Sequence, residues 1–167
     1  MDATVLVQSE RVEIRCPGDE EFAAIVSGDR VGRSWAADYP TEGDIFMATL
    51  RGPVALDPRE PWGPMQIVDR ASRLVVGGIG FLSAPADEAV EIGYGLAVSA
   101  RGRGLATEAV CLMCSVASSH GVATMTARTD SGNLPSQAVL RRTGFQRNPQ
   151  ADADGEIGWA RLLTPTD

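Results

Sequence analysis

Ser99-Ala100-Arg101-Gly102-Arg103-Gly104-Leu105-Ala106-Thr107 joins an alternating apolar segment to a helical one, and its reading decides the fold. Upstream, residues 89–98 (AVEIGYGLAV) have the pattern of a strand. Downstream, residues 105–119 place Leu105, Ala109, Leu112 and Val116 at helical spacing, with Ala106, Val110, Met113 and Ala117 widening the apolar stripe. Two glycines at a strand-to-helix junction let backbone amides approach a ligand closely. The first turn of a helix adds unpaired N–H groups and a partial positive charge, so the junction suits phosphate oxygens. Arg101 and Arg103 add full charge there. A plain tight connection is the other reading of the same residues. No Gly-x-x-x-x-Gly-Lys-Ser/Thr run occurs, and Thr107 stands where the dinucleotide fingerprint needs glycine or alanine, so the common nucleotide motifs do not fit.

The segments before the junction read as an antiparallel meander, not a βαβ unit. Residues 65–68 and 73–76 flank Asp69-Arg70-Ala71-Ser72 as a hairpin, the second arm continuing through Ile79, Phe81 and Leu82 to Pro85, followed by the strand 89–98. Glycine clusters at Gly77-Gly78-Ile79-Gly80 and Gly93-Tyr94-Gly95 predict tight turns or close backbone approaches. After the junction helix, residues 123–128 return as a strand, and Asn133 caps a helix that contains Val139 and Leu140 and stops at Gly144 before a core Phe145. Residues 156–163 close the chain as a strand. Toward the N-terminus, a mobile start precedes a short strand at 12–15 and a helix at 19–27, opened by Asp19 and closed at Gly28. A second helix spans 41–50 with Thr41 as its cap. Residues 51–64 hold Pro53, Pro58, Pro61 and Pro64, which predicts a long loop that is either a binding segment or a rigid surface excursion.

The whole chain narrows the classes. Its 167 residues, 44% of them hydrophobic, suit one domain over 1–167. A formal net charge of −7 argues against a nucleic-acid partner, although an acidic surface can draw in amines. No apolar run reaches the ~18–20 residues of a membrane span, and no basic-then-apolar leader begins the chain, so a cytoplasmic protein without a membrane partner is expected. Three cysteines do not make a disulfide framework. Cys111-Leu112-Met113-Cys114 has redox spacing but lies within a helical pattern, which favours two buried structural thiols. His120 before Gly121 reads as a helix-end cation, and no metal is expected.

On these residues a resemblance becomes specific. Arg101-x-x-Gly104-x-Ala106 is similar to the Gln/Arg-x-x-Gly-x-Gly/Ala signature of the GCN5-related N-acetyltransferase (GNAT) superfamily. Glu91-Ile-Gly-Tyr-Gly-Leu96 ahead of it, with Asn133-Leu-Pro-Ser136 and Gly144-Phe145 behind, resembles the branch of ribosomal-protein alanine N-acetyltransferases. The resemblance covers residues 75–145. It implies the α+β GNAT fold, a central mixed and mostly antiparallel twisted sheet flanked by helices, and acetyl-CoA as cosubstrate. The pantetheine arm would lie along Leu96, Ala97 and Val98, and the pyrophosphate against the amides of Gly102, Arg103, Gly104, Leu105, Ala106 and Thr107, with Arg101 beside them and Asn133 near the pantetheine. Ser136 would sit near the thioester sulfur. Helix capping accounts equally for Asn133.

Such a protein moves acetyl to the primary amine of a small molecule or peptide N-terminus, as a monomer or homodimer. An amine with a pKa of ~10.4 must lose a proton before it attacks, which calls for a carboxylate acting directly or through water. Glu91 is the leading base, a structural ion pair being its other reading, and Glu156 is the reserve. A backbone N–H near residues 96–98 would polarise the carbonyl, and Ser136 would protonate the thiolate, since the helix lacks the tyrosine usual in the family. A noncatalytic acyl-CoA sensor is the alternative built on the same turn. Trp35, Tyr39 and Trp62 either shape the acceptor pocket or pack the core.

Overall fold

Around the glycine turn the computed structural model, which describes residues 3–51, 57 and 59–164, builds one mixed sheet with helices on both faces. In chain order the elements are β1 (Thr4–Gln8), β2 (Val12–Cys16), α1 (Asp19–Ser27), α2 (Glu42–Arg51), β3 (Pro64–Asp69), β4 (Leu74–Phe81), β5 (Ala89–Leu96), α3 (Leu105–Ser119), β6 (Thr124–Asp130), α4 (Leu134–Arg142), β7 (Gln146–Arg147) and β8 (Glu156–Leu162). The described strands form an eight-stranded sheet in the order β1-β2-β3-β4-β5-β6-β8-β7. Only the β5–β6 pair is parallel, because α3 carries the chain across between them. The expected α+β architecture with a mostly antiparallel meander is what forms.

Helix α3 anchors the fold. Its apolar stripe buries Leu105, Ala109, Val110, Met113 and Ala117 against a sheet face that includes the fully buried Val12 and Ile14 of β2. Burying a side chain the size of Leu105 or Met113 contributes about 1.5–3 kcal/mol. The C-terminus of α3 is capped as expected at His120, whose amide donates to the Ala117 carbonyl and whose ring Nδ1 lies 2.9 Å from the Val116 carbonyl oxygen. Helix α2 opens on a reciprocal cap: the Asp44 carboxylate accepts from the Thr41 amide at 2.8 Å, and Thr41 Oγ1 accepts from the Asp44 amide at 3.4 Å. Helix α1 closes at Gly28 with φ 73°, but its N-cap is Gly18, and Asp19 sits inside the first turn with Glu20 and Glu21.

Several expectations change. Residues 4–8 pair with β2 through a register shift between Val5 and Val7, where a mobile start was expected. Strand β4 stops at Phe81 instead of Pro85, because the chain turns through Asp87 and Glu88, both at positive φ, to enter β5. Strand β5 ends at Leu96, not Val98: the Ala97 carbonyl accepts from the Ala100 amide at 3.0 Å as the chain enters a 3-10 turn at Val98–Ala100. Pro64 opens β3, since a proline is tolerated as a first strand residue, while Pro53 and Pro58 lie outside the described residues. Of the two cysteines in α3, Cys114 is buried but Cys111 is exposed. No helix among the described residues is long and apolar enough to cross a membrane.

The glycine clusters are not turns. Gly78 faces Gly95 and Gly80 faces Gly93 across β4 and β5, so one face of the sheet centre is bare backbone over two successive same-face positions. An added Cβ at Gly78 would come within 2.0 Å of Asp44 Oδ1, and one at Gly80 within 2.2 Å of the Gly63 carbonyl oxygen. These are the close backbone approaches that the composition predicted.

Candidate active site

Strand β5 pairs with β6 only from Ala89–Thr124 to Ile92–Ala127, although both strands run on. Where pairing ends, the rest of β5, the glycine turn and α4 border a groove. Gly102 and Gly104 hold φ of 73° and 78°, a left-handed pair that glycine adopts without steric cost. The turn thereby aims its amides outward. None of the amides of residues 102–107 donates to an acceptor among the described residues, the first helical bond being Glu108 N–H to Gly104. A row of free donors at a helix N-terminus fits the phosphate oxygens of coenzyme A.

The groove brings together most of the residues expected from the sequence: Leu96, Arg101, Gly102, Gly104, Leu105, Ala106, Thr107, Asn133 and Ser136 all line it. Ala97, Val98 and Arg103 do not. Ala97 is buried in the β4–β5 seam and Val98 points into solvent on its 3-10 turn. Arg103 is turned to the other side of the junction, where its guanidinium bonds the Asp69 carboxylate at 3.0 Å and its carbonyl accepts from Arg11. Burial acts to raise the Asp69 carboxyl, but hydrogen bonds from Ser72, Arg103 and the Ala71 amide outweigh it and hold the group below its usual range. Arg103 thus ties the glycine turn to the β3–β4 hairpin.

Two basic groups near the groove carried no sequence signal. Arg142, at the end of α4, lines it, and the Arg11 guanidinium stands 3.8 Å from where a Gly104 Cβ would be. Arg101 Nε donates to the Leu96 carbonyl at 3.1 Å, which holds that side chain along the end of β5.

Asn133 caps α4 as expected, its side chain accepting from the Ser136 amide at 3.2 Å. The hydroxyl of Ser136 donates to the hydroxyl of Tyr94 at 3.1 Å, and Tyr94 donates to the Ser136 carbonyl at 3.0 Å. Helix α4 lacks a tyrosine, but β5 brings the Tyr94 hydroxyl to Ser136. Burial raises the Tyr94 phenol above its ordinary value despite the serine hydrogen bond, so it stays protonated at neutral pH.

On the other face of the sheet a second, smaller cavity has the glycines Gly78, Gly80, Gly93 and Gly95 in its floor and α1 and α2 in its walls. Tyr94 and Gly95 line both cavities, so the two meet across β5. Of the three aromatic residues expected at an acceptor pocket or core, Tyr39 lines this cavity, whereas Trp35 packs edge-on against Tyr39 and Trp62 against Phe81. Glu91 lies on the strand face of Gly93 and Gly95 but outside both linings. Its carboxylate is 3.6 Å from Arg128 Nε, and the reserve residue Glu156 is 3.8 Å from Arg128 Nη1, so one guanidinium holds both carboxylates. Asp44, inside the helix expected at 41–50, also lines the cavity.

Residues 11–146 match the family model of the acetyltransferase (GNAT) domain. Among solved structures, the RimL ribosomal L7/L12 alpha-N-protein acetyltransferase in complex with coenzyme A is 20% identical, with a TM-score of 0.69 over 98% of this chain and 100% of that one. The ribosomal-protein-S5-alanine acetyltransferase from Vibrio fischeri is 14% identical, with a TM-score of 0.63 over 93% and 95%. The microcin C7 self-immunity acetyltransferase MccE, in complex with acetyl-CoA and AMP, is 15% identical, with a TM-score of 0.64 over 93% and 94%. At these identities the structures establish a shared fold. No curated protein matches the chain.

Proposed function

We propose that this chain, which belongs to the acetyltransferase (GNAT) family, uses acetyl-CoA to acetylate the primary amine of a small molecule or a peptide N-terminus. The observation that carries this reading is that two cavities share Tyr94 and Gly95 in their linings: a groove suited to phosphate and pantetheine on one side of β5 lies back to back with a mainly apolar cavity on the other. The bound cosubstrate supplies an acetyl thioester whose carbonyl carbon accepts the amine and whose thiolate departs. The likeness in fold to acetyltransferases named for ribosomal proteins favours a peptide N-terminus among the acceptors.

In this reading the amides of residues 102–107 hold the pyrophosphate, with Arg101 and Arg142 adding charge that the net −7 of the chain otherwise lacks. Glu91, on the acceptor face and two positions before the cavity-lining Gly93, takes the amine proton through water. Ser136 and Tyr94 together form the hydroxyl relay that returns a proton to the thiolate, Tyr94 standing in for the tyrosine absent from α4. Calorimetry with acetyl-CoA, followed by mass spectrometry of alkylamines and short peptides incubated with enzyme and acetyl-CoA, tests it. Binding with transfer to an amine is expected. Absence of binding refutes the cosubstrate, and binding with no transfer to any amine would leave the chain an acyl-CoA sensor.

A further inference from the structure

We propose that Asp44 is the specificity-determining residue for the acceptor: its carboxylate, set in the glycine-floored cavity, binds the ammonium group of a compact alkylamine or peptide N-terminus. This rests on the acetyl-transfer reading and names the class of acceptor for that same site.

Three observations converge on it. The first is charge. Asp44 is the one carboxylate that lines the cavity among the described residues, and no lysine, arginine or histidine lines it. The surrounding walls are largely apolar, with Phe22, Ile25, Met47 and Ala48 from the two helices. A carboxylate in such surroundings carries an uncompensated desolvation cost that a bound cation offsets. Burial accordingly raises the Asp44 carboxyl, with the Thr41 hydrogen bonds opposing it.

The second is the division of labour between its two oxygens. Oδ2 accepts from the Thr41 amide at 2.8 Å and from Thr41 Oγ1 at 2.6 Å, which completes the helix cap. Oδ1 accepts no hydrogen bond among the described residues and is pressed against the bare backbone of Gly78. Capping therefore accounts for one oxygen and leaves the other for a ligand.

The third is position. Gly78, over which Oδ1 stands, is directly opposite Gly95, one of the two residues common to both cavities, and the two backbones are one strand spacing, ~4.8 Å, apart. An ammonium held there has its carbon skeleton among Phe22, Ile25 and Met47 and its nitrogen next to the donor groove. A free amino acid would bring its own carboxylate close to Asp44 and be repelled, whereas an alkylamine or a peptide N-terminus would not.

Met47 and Met65 both line the cavity and give methyl signals for a binding experiment on the full chain. n-Butylammonium and n-butanol are titrated at neutral pH into the wild type, Asp44→Asn and Thr41→Ala, following those two methyls by NMR. Asparagine keeps an acceptor oxygen for Thr41 and removes only the charge. Butylammonium is expected to bind the wild type about ten- to a hundredfold more tightly than Asp44→Asn, the range of a charge-assisted hydrogen bond, with butanol binding both alike. Thr41→Ala, which weakens the cap and keeps the charge, should retain the preference for the cation. Equal affinity of wild type and Asp44→Asn for butylammonium overturns the proposal. So does a wild type that binds butanol as tightly as butylammonium, a result that does not depend on how any variant folds. The titration reads the cavity alone, so a failure to bind acetyl-CoA in calorimetry would strike the acetyl-transfer reading separately.

Discussion

Replacing Gly104 by aspartate tests the phosphate site without breaking the protein. A Cβ there would meet only the Arg11 guanidinium, at 3.8 and 4.0 Å, so the side chain has room. The cost to folding is mainly conformational: at φ 78° a residue other than glycine loses about 1 kcal/mol, less for aspartate than for most. In a chain of this size that is a drop in Tm of roughly 2–4 °C. The cost to binding is electrostatic. A carboxylate about 5 Å from a phosphate charge, at an effective dielectric constant of about 20, opposes it by ~3 kcal/mol before screening by salt. The Kd for acetyl-CoA should therefore rise by about thirty- to several hundredfold. Gly104→Asn imposes the same backbone demand with no charge, so the ratio of the two Kd values in calorimetry isolates the phosphate term. If the aspartate and asparagine variants bind acetyl-CoA equally well, no phosphate sits at this turn and the argument fails.

Further outcomes follow from the same geometry. Tyr94→Phe removes the hydroxyl that joins β5 to Ser136, and should lower kcat with little change in acetyl-CoA affinity; an unchanged kcat removes the relay. Arg103→Met strips the partner from the buried Asp69 carboxylate and should cost about 2 kcal/mol, read as a Tm drop of roughly 4–8 °C, although Arg103 does not line the groove. Glu91→Gln should slow acetylation while leaving calorimetric affinity for acetyl-CoA intact, and a normal rate across pH would exclude Glu91 as base. Burial raises the Asp44 carboxyl above its ordinary 3.8, so stability from that group is full below the ordinary value and is lost as pH rises through the raised one. Asp44→Asn should therefore melt higher than wild type at pH 7 and converge with it on acidification, and a pH-independent difference in Tm refutes this.

Much of the fold was legible because long elements leave periodic traces. The α3 stripe is strong enough that its ends are read at Leu105 and Ser119, and Gly28 and Gly144 mark helix stops by the left-handed backbone they adopt. Short or compositionally ambiguous pieces were not. Two residues of β7 cannot show an alternation, and β1 gains its structure by pairing with β2, not from its own pattern. The end of β5 was misplaced because Ala97 and Val98 continue the apolar run, while the Ala97 carbonyl turns to accept from the Ala100 amide in a 3-10 turn that no glycine or proline of residues 97–100 marks.

The candidate site divides along the same line. Its backbone half was legible, since glycines at fixed spacing before a helix state where the amides must point. Its side-chain half depends on which elements meet. Arg101 and Arg103 look alike in sequence, yet Arg103 is drawn away by Asp69, 34 positions earlier, and Arg142 takes a place at the groove from the far end of α4. Tyr94 lies within a motif quoted for its glycines, and its importance comes from Ser136, 42 residues later. The glycines themselves carry the clearest case. Gly77-Gly78-Ile79-Gly80 and Gly93-Tyr94-Gly95 look like turn signals until the register sets Gly78 against Gly95 and Gly80 against Gly93. Removing side chains from two facing pairs opens a cavity on one face of the sheet, while Ile79 and Tyr94, paired with each other, alternate to the opposite face. The same alternation that clears space for the acceptor thus places the Tyr94 hydroxyl on the side of Ser136. A side chain introduced at Gly78 would close the cavity and displace Asp44 while leaving the groove beyond β5 lined as before.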